Sequence, residues 1–304
     1  MLLAHLSDVH LAPLPPVHWP QLVGKRITGY VNWRRNRAGS MGAAVLEALV
    51  ADLAARAPDH TVVSGDLTNL ALPAEIERAA RWLAARGDPE AVTVVPGNHD
   101  AYVPGALRAV TAAWAPWMTG ERVDGAAFPF AFPFARRRGD VAVIGCSSAE
   151  ATAPLLATGP FRPDQARRLE ALLEATAGLF RVVVVHHPPL RGVTASTHAM
   201  RGIELFQGAV ARAGAELVLH GHTHWPTLYS IPGPRGDVPV MGVSAAGQAP
   251  GGKRPPARYN LIEIGGRPGA WRATRTERGI APDADPDAEP RIMELGRDAL
   301  AVPG

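Results

Sequence analysis

Short runs of consecutive apolar residues, many of them β-branched, recur along the chain, separated by longer stretches in which apolar positions return every three or four residues. The first pattern fits strands buried on both faces, and the second fits amphipathic helices. Strands are predicted at residues 2–6, 60–64, 91–95, 141–145, 181–185 and 216–219, with helices near 41–57, 74–86, 163–177 and 202–213. Within the first of these helices Val45, Leu46, Leu49, Val50 and Leu53 share one face, which predicts core packing. Alternation of strand and helix makes the chain an α/β protein. Later runs at 227–231, 238–243, 259–264 and 270–274 are divided by Pro and Gly turns and predict a meander. After Gly279 the composition turns to Pro, Asp and Ala. We therefore expect one domain over residues 1–278 and a loosely ordered tail over 279–304, with no internal repeat.

Composition narrows the class. The 304 residues are 47% hydrophobic and 19% charged, the balance of a folded globular chain. No apolar run approaches the roughly 18–20 residues that span a bilayer. The start, MLLAHLSDVH, lacks the basic region and cleavage site of a signal peptide, and Cys146 is the sole cysteine. A cytoplasmic location is expected, extending to the inner face of the membrane if the protein is peripheral. Lys25 and Lys253 are the only lysines, so the net charge of +3 is carried by arginine. That excess needs no nucleic-acid partner, and none is predicted, but it favours an anionic substrate.

The candidate chemistry sits where the predicted strands end. MLLAHLS runs into Asp8-Val9-His10, and HTVVS into Gly65-Asp66-Leu67-Thr68-Asn69. AVTVVP runs into Gly97-Asn98-His99-Asp100, RVVVV into His186-His187-Pro188, and ELVLH into Gly221-His222-Thr223-His224. Any one block could be a turn, a cap or a packed imidazole. Five in succession at the carboxyl edge of an α/β sheet, where such sheets bind ligands, aim Asp, Asn and His at one place. Period-two alternation is expected to point Asp8 and His10 the same way, and likewise His222 and His224.

In their order D-x-H, G-D-x-x-N, G-N-H-D, H and G-H-x-H, these blocks resemble the signature of the calcineurin-like metallophosphoesterase superfamily, in particular its bacterial phosphodiesterase branch. The resemblance implies a four-layer α/β/β/α sandwich with two central mixed sheets, the late meander belonging to the second. It also implies two divalent metal ions, Mn, Fe or Zn. One would be held by Asp8, His10, Asp66 and His224, the other by Asp66, Asn98, His186 and His222, with Asp66 bridging. His186 is preferred to His187 because it stands two residues before the proline, as in the family. The implied reaction is in-line attack of a metal-bridging hydroxide on a small phosphodiester. The alternative is a phosphomonoesterase or pyrophosphatase acting on a nucleotide-linked or lipid-linked substrate, and more distantly a non-catalytic scaffold. By the same resemblance His99 would protonate the leaving alkoxide. Asp100 would either hydrogen-bond His99 and raise its basicity or merely cap the following turn.

Around these blocks, residues 24–37 interleave Lys25, Arg26, Arg34, Arg35 and Arg37 with Ile27, Tyr30, Val31 and Trp33. Read as a loop, this segment is either solvated, a grip on a second anionic group through Trp33 and Arg34, or a peripheral membrane contact. Asn69 and His187 are further candidates for contact with substrate. Trp114, Trp117, Met118 and the alternating Phe128, Phe130, Phe132 and Phe134 form either one face of a core strand or a lid. The oligomeric state is not legible.

Overall fold

Each apolar run becomes a strand whose alternate side chains enter two different cores. In the computed structural model, which describes residues 1–37, 40–121 and 132–303, Leu3, Val62, Ile262 and Ile264 share one buried cluster with Val141, Val143, Val182, Val184, Leu217 and Leu219. The neighbouring positions Ala4, Leu6, Val63 and Leu261 turn to a second cluster, and Ile144, Val183, Val185 and Val218 to a third. Period two along each strand therefore builds a core between two sheets and one outside each.

The first sheet has β1 (Leu2–Leu6), β2 (His60–Val63) and β3 (Val92–Val94) in parallel. β12 (Arg258–Arg267), β13 (Ala270–Gly279) and β14 (Met293–Leu300) extend it antiparallel, in the order β14-β13-β12-β1-β2-β3. The second contains β4 (Phe134–Arg138), β5 (Val141–Gly145), β7 (Phe180–Val184), β9 (Leu217–His220), β10 (Thr227–Ile231) and β11 (Val238–Gly242), in the order β10-β11-β9-β7-β5-β4. The short β6 (Gly159–Pro160) and β8 (Met200–Arg201) pair separately. Helices α2 (Ala43–Ala55), α3 (Pro73–Ala84), α4 (Ala106–Ala113) and α5 (Ala115–Met118) supply Leu49, Ile76, Val110 and Trp117 to the outer core of the first sheet. α6 (Pro163–Ala175) and α7 (Ile203–Ala213) cover the second through Leu169 and Phe206. The result is the α/β/β/α sandwich with two mixed sheets. None of the described helices is long and apolar enough to cross a membrane.

Three expectations change. The late meander divides: β10 and β11 join the second sheet, whereas β12 and β13 return to β1 in the first, because Ile262 and Ile264 are buried between the sheets. The segment expected to be a loose tail supplies β14, whose Leu300 enters the same core. Residues 25–32, read as loop, form α1 (Lys25–Asn32), followed by a wide turn at Trp33–Arg37. Of the aromatics weighed as lid or core, Trp114, Trp117, Met118 and Phe134 are buried and Phe132 packs partly against them. Phe128 and Phe130 lie outside the described residues.

One buried group couples this core to pH. His60 lies in β2 with Nε2 2.8 Å from Thr93 Oγ1, and burial, helped by Arg138 and Arg136, lowers its pKa from 6.5 to about 3. In that window the unfolded chain binds a proton that the folded chain does not, so stability falls as pH drops, by up to about 1.4 kcal/mol per pH unit. His60→Gln should remove this one-proton slope from urea-unfolding free energies measured between about pH 4 and 6. An unchanged slope would mean that His60 is already charged in the folded protein.

Candidate metal centre

The ligand blocks follow β1, β2, β3, β7 and β9, at the carboxyl ends of parallel strands. Their side chains do not converge by strand alternation, as the sequence suggests, because β1 ends at Leu6 and β9 at His220. Instead Asp8, His10, Asp66, His222 and His224 all adopt positive φ, between 41° and 68°. Such backbone is uncommon for residues with a side chain and costs roughly 1–3 kcal/mol each. The kinks bring the side chains of Asp8, His10, Asp66 and His224 together. The glycines of the blocks clear the space: a Cβ on Gly97 would collide with the Asp66 carboxylate, and one on Gly221 with Ser7 Oγ.

Three sets of ligand atoms lie within 4.8 Å of one another: Asp8, His10 and His224; His10, Asp66 and His99; Asp8, Asp66 and His186. Asp66 Oδ2 is 3.4 Å from His186 Nε2 and 3.9 Å from His10 Nε2, and Asp8 Oδ1 is 3.2 Å from His224 Nε2. Asn98 joins the last set, its Oδ1 3.2 Å from His186 Nε2. Nδ1 of His10 donates to Thr68 O (3.0 Å) and Nδ1 of His186 to Ser64 O (2.7 Å). Since carbonyls only accept, these bonds set the tautomer and aim the basic Nε2 at the carboxylates. At His224 the arrangement differs: Arg254 donates to Nδ1. His222 donates Nε2–H to His198 O (2.9 Å), and its ring stands 5.2 Å from that of His186. His222 is outside all three sets, and Asp8 shares two of them as Asp66 does.

The electrostatics match a cation site. Burial alone would raise the Asp66 carboxyl, but the rings of His186, His99 and His10 hold it well below its ordinary range. Asp8 is likewise held low, burial being outweighed by His224 and His186. Conversely, burial would lower His186, yet Asp66 and Asp8 raise it to about 9. Buried carboxylates and imidazoles with no thiolate form a donor set suited to Mn, Fe or Zn, so the residues fit divalent ions.

Residues 1–226 match the family model described as calcineurin-like phosphoesterase. The chain belongs to the calcineurin-like phosphoesterase family. Calcineurin-like phosphoesterases use two divalent metal ions, and the clustered ligands are where this family member would hold them. The fold is similar to that of a dimetal phosphatase from Danio rerio, at 12% identity and a TM-score of 0.57, over 97% of this chain and 99% of that one. It is also similar to the purple acid phosphatase PPD1 of yellow lupin, at 12% identity and a TM-score of 0.52, over 91% of this chain and 51% of that one. At such identity the likeness concerns the fold. No curated protein sequence gives a significant match.

Other expected site residues of this phosphoesterase take different places. The oxygens of Asp100 accept from Asp66 N, Leu67 N, Thr68 N, Thr68 Oγ1 and Gly97 N, at 2.9–3.0 Å. It ties two ligand loops together, and burial followed by the Asp66 charge raises its pKa to about 7. His99 Nδ1 bonds instead to Asn69 O, 2.6 Å away, so Asn69 acts through its main chain and positions His99. His187 has Nδ1 2.7 Å from Ser148 Oγ and Nε2 3.0 Å from Ala157 O, so both nitrogens are engaged within the protein. Trp33 and Arg34 do not line the central cavity: Trp33 stacks on Tyr30 and Arg34 lies over the same ring.

That cavity, about 360 Å³, is lined by Asp66, Asn98, His99, His222 and His224, by Lys25 of the basic segment, and by Tyr102, His198 and Arg254, which motif reading does not single out. Lys25 Nζ donates to Thr152 Oγ1 (2.6 Å) and Leu156 O (2.9 Å) and sits 4.7 Å above the Tyr102 ring. Burial lowers its pKa to about 8. No motif marks Arg254; the return of the chain beyond β11 brings it to the centre, as the helical register of α1 does Lys25.

Proposed function

We propose that the chain is a metal-dependent phosphodiesterase acting on a small phosphodiester. The observation that carries this reading is the convergence of Asp8, His10, Asp66, His186 and His224 beside a cavity that also holds His99. Bound divalent ions would supply Lewis acidity toward the phosphoryl group and an activated water. The remaining work falls to side chains of this protein. The Asn69 carbonyl receives Nδ1–H of His99 and stabilises the imidazolium, leaving Nε2–H to protonate the departing alkoxide. Lys25 and Arg254 bring positive charge to the anionic ester, and Thr28, Asn32, Leu156 and Ala157 leave room for a second ester substituent. The buried thiol of Cys146 is in keeping with a cytoplasmic site of action.

The same two cations also suit a dianion, so a phosphomonoesterase or pyrophosphatase is the second reading. Hydrolysis of bis-p-nitrophenyl phosphate against p-nitrophenyl phosphate, after chelation and reloading with Mn2+, Fe2+ or Zn2+, separates them. We expect diester preference, abolished by the chelator. Monoester preference selects the second reading, and no turnover with any of the ions returns the protein to a scaffold.

A further inference from the structure

The helix over the site has three faces. Lys25, Thr28, Gly29 and Asn32 line the cavity. Arg26 donates to Leu70 O and Ala71 O, and Tyr30 packs on the Leu70–Tyr102 cluster. The third face presents Ile27 (55% exposed) and Val31 (42%) to solvent, and Trp19 (81%) and Val23 (73%) stand just before it. Across the mouth is Leu155 (83% exposed), joined to α1 through the bonds of Lys25 to Thr152 and Leu156. Of the eleven large hydrophobic residues exposed among the described residues, Leu155 and Leu156 line this opening, and Trp19, Val23, Ile27 and Val31 lie on or just before α1, which forms one of its walls. Such clustering marks a surface that is covered by something apolar.

Charge identifies what covers it. Between Asp8 and Glu47 the chain has Lys25, Arg26, Arg34, Arg35 and Arg37 and no acidic residue, more positive charge than the +3 of the whole protein. Arg34 and Arg35 are exposed on the turn that continues α1. A nucleic acid would neutralise the arginines but leave the aliphatic side chains in water. An acidic bilayer receives both, apolar groups below the headgroups and arginines among them. We propose that this rim docks on an anionic lipid bilayer through Trp19, Val23, Ile27, Val31 and Leu155, with Arg34 and Arg35 facing acidic headgroups. The centre then meets its phosphoester at the membrane surface, a statement that rests on the phosphoesterase reading; the docking itself does not.

Co-sedimentation of the full chain with vesicles tests it. Binding is expected to phosphatidylcholine vesicles containing phosphatidylglycerol, weakened by salt, and not to phosphatidylcholine alone. The triple variant Trp19→Ser/Val23→Ser/Ile27→Ser should lose about tenfold or more in vesicle affinity, and Arg35→Glu several-fold. Both should hydrolyse a soluble nitrophenyl ester like the unsubstituted protein, which shows that they are folded. Failure to bind acidic vesicles, or equal binding by the variants, overturns the proposal. So does self-association broken by the same substitutions, or equally tight binding to duplex DNA. If the parent protein hydrolyses no ester, the phosphoesterase reading fails while circular dichroism and vesicle binding still decide the docking.

Discussion

Asp66→Asn should empty the centre and abolish turnover. The substitution keeps the shape of the side chain but removes the charge that lies 3.4 Å from His186 and 3.9 Å from His10. It also weakens the acceptor for His99 N, now 2.7 Å from Asp66 Oδ1, so ligand set and acid are disturbed together. The loss of turnover should exceed the roughly 10²–10⁴-fold typical of removing a single general acid or base. Metal analysis of the purified variant checks the cause. Two retained equivalents would show that Asp66 does not join the two sets.

His99→Asn separates the acid from the ligands. Metal content should be unchanged, because the sets built on Asp8 contain no His99. Turnover of an alkyl phosphodiester should fall roughly 10²–10⁴-fold. A nitrophenyl diester, whose departing phenolate needs less help from a proton, should be affected much less. Equal losses on the two esters would remove His99 from proton transfer and leave it a role in binding. Loss of metal would instead make it a ligand, as its proximity to His10 and Asp66 allows.

Much of the fold was legible because it rests on local pattern. The runs of Val, Leu and Ile predicted β1, β2, β3, β5, β7 and β9 to within a residue or two, although β12 and β13 run three and five residues beyond their predicted ends, and the same runs showed where the ligand blocks emerge. What could not be read is the pairing of distant segments. Nothing local tells β12 to lie beside β1 rather than beside β11, since both positions bury the same aliphatic side chains. Asp100 illustrates a second limit. An Asp after Asn98-His99 reads equally well as partner to the histidine or as a tie between loops, and the choice is made by five donors, four of them on Asp66, Leu67 and Thr68 some thirty residues away. A third is α1, where Gly29 and the β-branched Ile27, Thr28 and Val31 weaken the helical signal. Its glycine is used because a Cβ there would strike the Tyr102 hydroxyl.

The left-handed backbone at Asp8, His10, Asp66, His222 and His224 bears on how such a protein responds to selection. Glycine occupies positive φ without steric cost, so at these five positions the substitution that most relaxes the chain is also the one that deletes a donor atom. A screen for heat resistance alone would drift toward glycine at the centre, whereas a screen for turnover would hold the kinks and gather stabilising changes in the helices outside the sheets. The two screens should diverge first at His222, which lies outside the three ligand sets, and last at Asp66, where backbone, carboxylate and neighbouring histidines are bound into one another.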